Sequence, residues 1–446
     1  METVNDGWEQ RLREHSLAPA HKPWSPRYTA WVVGLGVVIA WGFVAYFYQW
    51  RHGLVATGMR DRITWGLYIT AFVFFIGISH AGTLISAILR ATHASWRTPI
   101  TRIAEAITVV SLVSGALFVI VDMGRPERLY QFWLNGNWQS PLMWDMMAIT
   151  IYLTASVLYL YVPMIPDLGL FRDELDGRVN GLRSWAYRTF ALGWSDTEAQ
   201  REALLRSVAI LMVLIIPIAV SVHTVVSWIF AMTSRVSWDS TIFGFFFVAG
   251  AIYSGIATLV IVLAVMRRNY HLEEYIMPMH FKNLAYLMLT MSLVMMYGNA
   301  SEYITKGYKM HEGERFAFEQ LFAGGFAPLY WFYFFGGLVV PFLIIAFKPT
   351  RTITGIVIAA ILVDLAMFAE RYFIVVGGLR VPTMQYEPAT YSPTWVEWSI
   401  LASGCAGFMM LLTLFARYLP ILAVWEMTAE HDESTSDEVS EMEAVS

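Results

Sequence analysis

Long apolar runs alternate with short charged segments along almost the whole sequence. The runs are 17 to 27 residues long, and an α-helix needs about 20 apolar residues to cross the hydrocarbon of a membrane. Such runs are too long for the short, alternating strands of a membrane β-barrel. The pattern predicts an all-α integral membrane protein with ten transmembrane helices, at Tyr28–Trp50, Thr64–Arg90, Ile103–Val121, Leu142–Val162, Val208–Met232, Ile242–Met266, Phe281–Tyr297, Ala327–Phe347, Ile353–Val376 and Val396–Tyr418.

The two ends of the chain differ in composition from the spans between them. Residues 1–27 hold three prolines and several charged residues, which is not the order of a secretory signal, and we expect a cytoplasmic arm. Residues 28–427 form the predicted ten-span domain. Residues 428–446 are rich in Glu, Asp and Ser and are predicted to be a disordered acidic tail.

Lysine and arginine are divided unequally between the two sides of the predicted spans. The segments on the side of both termini hold 19 of these residues, and the segments on the other side hold 11. Cytoplasmic segments of membrane proteins carry an excess of positive residues, so both termini are predicted to be cytoplasmic.

Composition limits the chemistry that this chain can carry alone. Its formal net charge is −5, which does not fit a surface that binds nucleic acid. The single cysteine, Cys405, excludes an internal disulfide, a self-ligated iron–sulfur cluster and a cysteine-based zinc site. Only His80 and His223 lie deep in predicted spans, which is too few for a two-haem cytochrome b, and we expect neither haem nor a bound metal.

Ionisable side chains inside the spans are the main candidates for function, because each is costly to bury in hydrocarbon. His80 lies in the second span near the hydroxyls of Ser79, Thr83 and Ser86, and Asp122 ends the third span. The further ionisable candidates within or at the ends of spans are Glu105, Asp145, His223, Asp364, Glu370 and Arg371.

His80 and Asp122 are expected to lie at similar depths. If the second and third spans turn at 96–99, His80 lies 18 residues before Thr98 and Asp122 lies 24 after it. At ~1.5 Å per residue the depths differ by ~9 Å, a gap that could hold a quinone ring with each side chain accepting one quinol proton. Equally, His80 could be a hydrogen-bond donor between helices, and Asp122 could pair with Arg125 or Arg128.

The ninth span holds three charged residues whose helical spacing is informative. Asp364 and Arg371 are seven residues apart and share one helix face, whereas Glu370 is offset by about 100° from Arg371. These residues could relay protons along a chain of waters, and together with Glu105 they form the predicted proton path. The alternative is a structural ion pair that holds the ninth helix to a neighbour.

Three motifs resemble those of a known membrane family. They are His80-Ala-Gly-Thr-Leu-Ile-Ser-Ala in the second span, Asp122-Met-Gly-Arg-Pro after the third, and Ser221-Val-His-Thr-Val-Val-Ser-Trp in the fifth. From 28 to 418 the chain resembles the NrfD-type polysulfide-reductase membrane subunits in order and topology. Within that family it is most similar to ActC, the quinol-oxidising membrane subunit of alternative complex III.

The resemblance implies two four-helix bundles, at about 64–232 and 242–376, with two flanking helices and no redox centre. A quinol such as menaquinol would bind near the periplasmic face of a bacterial inner membrane, at His80 and Asp122 with Arg125 nearby. Its electrons would pass to an iron–sulfur cluster in a periplasmic partner and on to c-type cytochrome subunits, beside a homologous membrane subunit, ActF. His93 is the main competitor of His80.

Two other functions stay open at this point. The deep Asp, Glu and His side chains could line the path of an ion or solute transporter, for which matched Gly or Pro interruptions in the two halves are typical. Pro217, Pro328 and Pro341 do not form such a pair. The chain could also act like ActF, as an anchor or proton path without a quinol site. We expect oxidoreductase activity from the assembled complex, with or without proton translocation.

Overall fold

Helices make up nearly all of the regular structure. The computed structural model describes residues 2–432 except for 93, 234 and 383–386, and no β-strand forms within this range. In chain order the α-helices are α1 (Glu2–His21), α2 (Pro26–His52), α3 (Leu67–Ala91), α4 (Thr98–Asp122), α5 (Tyr130–Asn135), α6 (Pro141–Tyr161), α7 (Ile165–Glu174), α8 (Gly181–Phe190), α9 (Glu198–Ala231), α10 (Phe243–Asn269), α11 (Pro278–Lys309), α12 (Glu312–Phe322), α13 (Ala327–Trp331), α14 (Val340–Ala346), α15 (Ile353–Arg380) and α16 (Trp395–Tyr418).

Several shorter helical pieces complete the chain. A π-helical stretch, Phe332–Val339, joins α13 to α14 into one continuous segment. Four 3₁₀ turns lie at Leu54–Ala56, Ser95–Arg97, Pro126–Arg128 and Val162–Met164. Ten helical segments of the described residues are long and apolar enough to cross a membrane, which confirms the predicted all-α membrane fold. They are α2, α3, α4, α6 continued by α7, α9, α10, α11, the α13–α14 segment, α15 and α16.

Local sequence signals begin many of these helices. Ser25 caps α2 by accepting a hydrogen bond from a backbone N–H, and Pro26 follows at the first helical position, where its missing N–H costs nothing. Thr197 and Gln200 form a reciprocal capping box at the start of α9. This start lies ten residues before the predicted span, because the cap begins the helix in a charged segment before the apolar run.

Three predicted segments are longer or more ordered than the sequence pattern indicated. The seventh span, expected at 281–297, is the 32-residue helix α11, because polar residues continue the helix beyond the apolar run. The predicted arm, 1–27, contains α1, whose Trp8 ring packs on Tyr275 and His431. Of the predicted acidic tail, 428–432 are helical and the remainder lies outside the described residues.

Helix contacts divide most of the spans into two groups. In the first helix group, α3 contacts α4 and α9, α4 contacts α6, and α6 contacts α9, so the four helices close a ring. In the second helix group, α10 contacts α11 and α15, and the α13–α14 segment contacts both of those helices. α10 and α15 also contact α3, while α2 and α16 pair with each other at one flank. The division into two separate bundles stays a prediction.

Small residues bring α3 and α4 unusually close together. A Cβ atom added to Gly82 would lie only 1.8 Å from the carbonyl oxygen of Ala104, so the residue has to be glycine for the backbones to approach this far. Next to this close contact, the hydroxyl of Thr83 on α3 donates a 3.0 Å hydrogen bond to the hydroxyl of Thr108 on α4. These contacts fix the register between the two antiparallel helices.

Ten crossings place both ends of the chain on one side of the membrane, called the terminal side here, and the other face is called the opposite side. On the terminal side the backbone after α16 folds back against α3 and α4. Glu426, which is 7% exposed, accepts hydrogen bonds from Arg90 at 3.0 Å and from Arg97 at 3.1 Å. Burial by itself would raise the pKa of the Glu426 carboxyl, but the charges of Arg90 and Arg97 outweigh burial and hold this pKa below its usual value.

This network predicts a stability that is lost in acid. Because the pKa of Glu426 is lower in the folded state than in the unfolded state, its ionised form stabilises the fold at neutral pH, and this contribution disappears as the pH falls through the lowered pKa. We expect Glu426→Ala to lower the free energy of unfolding by about 3–5 kcal/mol at neutral pH, because Arg90 and Arg97 lose a buried counter-charge. Thermal unfolding in detergent between neutral pH and about pH 3 measures both effects.

The control is Glu202→Ala, because Glu202 pairs with Arg206 on an exposed helix surface and should contribute little. The variant Glu426→Ala should also lose the acid-dependent part of the unfolding transition, whereas Glu202→Ala should keep it. An unfolding temperature of Glu426→Ala that matches the wild type at neutral pH would contradict this account of the terminal side.

Candidate functional site

Two buried histidines meet at the interface of α3 and α9. His80 Nε2 lies 2.5 Å from the carbonyl oxygen of Ala219, and His80 Nδ1 lies 3.2 Å from the carbonyl oxygen of Ile76. A carbonyl only accepts, so the short contact requires a hydrogen on Nε2. The ring of His223 is 3.7 Å from the ring of His80, centroid to centroid, and neither of its nitrogens has a hydrogen-bond partner among the described residues.

His80 is thus placed as a link between helices, which was one of the two interpretations of its sequence position. It is fully buried, and the ring of Tyr152 on α6 lies 5.3 Å away. Its role in quinol chemistry stays a prediction. His93, its predicted competitor, lies outside the described residues.

Asp122 lies much further from His80 than the sequence indicated. Thr83 on α3 is level with Thr108 on α4, so in antiparallel helices His80 is level with Ser111. Asp122 is eleven residues beyond Ser111, or ~16 Å along the axis at ~1.5 Å per residue. The predicted ~9 Å is wrong, because the turn between α3 and α4 is centred before Thr98. A single quinone ring therefore does not reach both side chains.

Asp122 belongs instead to a polar cluster at the opposite side, formed with four residues that the sequence did not single out. Its Oδ1 atom is buried and has no hydrogen-bond partner in the described part of the chain. Glu397 and Tyr68 are close enough to interact with it electrostatically. Tyr68 donates a 2.6 Å hydrogen bond to Gln49, whose amide donates to the carbonyl of the residue before Asp122.

Glu397 ties this cluster, called the Asp122 cluster, to the loop before α16. Its carboxylate accepts hydrogen bonds from Tyr391 and from the backbone of Gly58, the latter at 2.7 Å. Burial and the nearby Glu397 charge raise the pKa of Tyr391 well above its usual value, so its hydroxyl stays protonated as a donor. The capping pattern from Thr394 to Glu397 was visible in the sequence, but it indicates only a helix start.

Arg125 and Arg128 lie just outside the Asp122 cluster. Both are exposed on the segment that follows α4, where Gly124 turns the chain with a positive φ of 68°. Neither is hydrogen-bonded to Asp122 in the contacts of the described residues. The alternative interpretation, an ion pair of Asp122 with either arginine, is therefore not formed, and both guanidinium groups lie at the surface of the opposite side.

A line of hydroxyl and carboxyl groups runs from the level of His80 to the terminal side. The Tyr152 hydroxyl donates to the carbonyl of Ser79, and Ser86 donates to Glu105 at 2.8 Å. Arg90 lies 4.0 Å from Glu105 and also bonds Glu426. Glu105, a predicted member of the proton path, thus occupies the centre of this line.

The second helix group holds the other predicted proton-path residues. Arg371 Nη1 lies 2.9 Å from Glu370 Oε2, but the groups are not aligned for a hydrogen bond, and both oxygens of Glu370 lack such a partner within the described ranges. Arg371 lies over the Phe247 ring and within electrostatic range of His223. Asp364 instead accepts a 2.8 Å hydrogen bond from Thr258 on α10.

A cavity of about 120 Å³ lies at the opposite side of the second helix group. α10, α11, α12 and α15 all contribute to its wall, and Glu370 reaches it from α15. No sequence pattern pointed to this cavity, because its lining comes from segments up to about 145 residues apart, between Val236 and Val381.

Comparison with characterised proteins finds relatives along nearly the full chain. A membrane protein of Halobacterium salinarum, proposed to belong to a dimethyl sulfoxide reductase, is 26% identical, over 88% of this chain and 91% of that protein. One of the selenate reductase subunits of Mesobacillus selenatarsenatis is 24% identical, over 85% and 91%. The Hdr-like menaquinol oxidoreductase integral membrane subunit of Archaeoglobus fulgidus is 24% identical, over 91% and 97%.

The family comparison agrees with the motifs and the fold. The model of the family described as polysulphide reductase, NrfD, matches residues 55–382. This range includes His80, Asp122, His223 and Glu370, and it covers every helix of both helix groups. The match extends over well more than half of the sequence, and on this basis the chain belongs to the NrfD polysulphide reductase family.

Proposed function

We propose that this chain is the membrane subunit of a quinol:electron-acceptor oxidoreductase complex and that it oxidises quinol at the Asp122 cluster. Family membership supports a place in a reductase complex, and one relative is named as the integral membrane subunit of a menaquinol oxidoreductase. The observation that carries the site is the buried Oδ1 atom of Asp122, which has no hydrogen-bond partner among the described residues. A quinol hydroxyl would supply that missing donor.

The chemistry follows from what a quinol gives up. Its oxidation to a quinone releases two electrons and two protons, so the site needs proton acceptors and an outlet for electrons. Asp122 accepts one proton at Oδ1, and water at the adjacent surface of the opposite side accepts the other. Glu397 and Tyr391 hold the surrounding cluster in place. The electrons leave for an iron–sulfur cluster of a partner, because the single cysteine of this chain cannot hold one.

We assign the ring contact to Asp122 and a deeper proton-transfer role to His80, because one ring cannot span the ~16 Å between their levels. Arg125 at the adjacent surface would orient the quinol head or the partner. A buried row of neighbouring side chains links the two helix groups, and it consists of His80, His223 and Arg371. Towards the terminal side, this row of polar groups continues through the hydroxyls of α3 to Glu105. Towards the opposite side, it continues from Arg371 to Glu370.

This arrangement supports proton movement coupled to quinol oxidation. Histidine and carboxylate groups buried in a membrane commonly mark proton relays. Asp364 does not contact this row of polar groups directly, because its hydrogen-bond partner is Thr258. We include it as a branch of the proposed proton path. In this proposal the two functions of the chain are quinol oxidation at one face and proton conduction through its interior.

We further propose an alternative complex III type of assembly in a bacterial inner membrane. The excess of Lys and Arg on the terminal side supports a cytoplasmic position for both termini, which puts the Asp122 cluster at the periplasmic face. A periplasmic iron–sulfur subunit would dock there and pass electrons to c-type cytochrome subunits. A homologous membrane subunit of the ActF type would complete the membrane part.

The site is tested with Asp122→Asn and His80→Gln in the purified complex. Asparagine keeps the shape of Asp122 but lacks the carboxylate that accepts a proton. Glutamine can still donate a hydrogen bond to the carbonyl of Ala219, but its amide is not a base and cannot replace the imidazole of His80 in proton transfer. We expect each variant to lower quinol oxidation by about 10²- to 10⁴-fold, the usual contribution of a general acid or base. Turnover with a short-chain quinol and an artificial electron acceptor measures this.

Asp145→Asn is the matched control, because Asp145 is a buried carboxyl on α6 that belongs neither to the Asp122 cluster nor to the proton path. It should leave turnover nearly unchanged. Copurification of the partner subunits shows that each variant still assembles. Near-normal turnover of an assembled Asp122→Asn complex would contradict the quinol site and favour an anchor without one.

A further inference from the structure

The cavity of the second helix group has the composition of a binding site for an aromatic ring. Six phenylalanines line it, among them Phe246, Phe326 and Phe373, and Tyr303 adds a further ring. One water needs roughly 10–15 Å³ of such space, so a cavity of about 120 Å³ has room for an organic ring. Flat aromatic walls favour a flat ligand, which can pack against them face to face or edge to face.

Glu370 gives this apolar cavity one strong hydrogen-bond acceptor. The side chain is 1% exposed, it lines the cavity, and both of its oxygens lack a hydrogen-bond partner among the described residues. A buried polar group without a hydrogen-bond partner destabilises the protein, and a charged group does so more strongly. A ligand that donates a hydrogen bond to Glu370 would remove this destabilisation.

The charges around the cavity select a neutral ligand. Arg371 already lies beside Glu370 at 2.9 Å and balances its charge, so a cationic ligand is not required. At the mouth, Glu302 is paired with Lys306 at 2.8 Å and also accepts a hydrogen bond from Ser240. Arg380 also lines the cavity and lies over the Phe326 ring, but an anionic ligand would face the three carboxylates of Glu302, Glu314 and Glu370. A hydroxyl group would instead donate to the Glu370 carboxylate, whose oxygens have no hydrogen-bond partner among the described residues.

α12 covers the cavity on the opposite side. This helix is begun by a reciprocal cap between His311 and Glu314, and its inner face supplies Ala317 and Phe318 to the cavity wall. Because α12 carries apolar residues on this one face, a ligand beneath it is shielded from water. A lipid-soluble ring with a hydroxyl group meets every one of these conditions.

We propose that the cavity is a second quinol-ring site, separate from the Asp122 cluster, in which a ring hydroxyl donates to Glu370. The identity of the ligand as a quinol rests on the proposed function, whereas the presence of a ring site rests on the cavity alone. The ligand packs between the phenylalanine rings under α12. Occupation of this site places a quinol hydroxyl next to Glu370 and Arg371, at the end of the buried row of polar groups that starts at His80.

Photocrosslinking of the purified complex tests this site. The probe is a short-chain hydroquinone with a diazirine on its side chain, and crosslinked peptides are identified by mass spectrometry. We expect crosslinks in two regions, one at 49–68 or 122–125 and the other at 298–326 or 370–381. Ala317→Trp, which fills the cavity from α12, should reduce the second set at least tenfold and leave the first set unchanged.

Ala323→Trp is the matched control, because Ala323 is an exposed residue at the end of α12 that does not line the cavity. It should keep both sets of crosslinks. Glu370→Gln, which removes the charged acceptor, should weaken the second set several-fold, and Ala317→Trp provides the test if this variant does not fold.

The possible outcomes separate the two proposals. Crosslinks only at the first region would overturn the second site and leave the proposed function standing. Crosslinks only at the second region would support the cavity site and contradict the Asp122 site, and crosslinks at neither would overturn both. Crosslinks in the cavity that excess phospholipid displaces and excess short-chain hydroquinone does not would show a lipid site and overturn the proposal.

Discussion

Hydrocarbon offers no hydrogen-bond partners, so every polar group inside a spanning helix has to find a partner within the protein. The bond from His80 to the carbonyl of Ala219 satisfies this constraint at mid-membrane, and the rest of the interior depends on it. It holds α3 to α9, and it brings His223 against His80 at the point where α3 also meets α10 and α15. Both helix groups are therefore joined at a polar contact.

The same constraint explains why the remaining polar groups lie in lines and clusters. Ser86 and Glu105 are buried because they bond each other, and Arg90 is buried because Glu105 and Glu426 balance its charge. Several buried groups depart from the rule and have atoms without hydrogen-bond partners within the described residues, among them Asp122 Oδ1, both nitrogens of His223, both oxygens of Glu370 and Asp145 Oδ1. We assign ligands or protons to Asp122, His223 and Glu370, because these three lie in the Asp122 cluster, beside His80 and at the cavity.

Much of the fold was predictable from the sequence, because length and hydropathy decide whether a helix crosses a membrane. The ten spans were found, and His80 and Glu105 were identified as buried polar groups from their position alone. The difference in depth between His80 and Asp122 was not predicted correctly. An error of two or three residues in the centre of the turn between their helices shifts this difference by several ångströms. The Asp122 cluster and the cavity were also missed, since Gln49, Glu397 and Glu302 become neighbours of their sites only through tertiary packing.

We propose that quinol electrons leave this chain through a partner docked beside the Asp122 cluster. The most direct test is to purify the complex from its native membrane, determine its iron and haem content, and add quinol while the iron–sulfur signal is followed by electron paramagnetic resonance. We expect a copurified iron–sulfur partner whose cluster is reduced by quinol, and no such signal from this chain purified alone. A complex without a redox-active partner, or a cluster that stays oxidised when quinol is added, would contradict it.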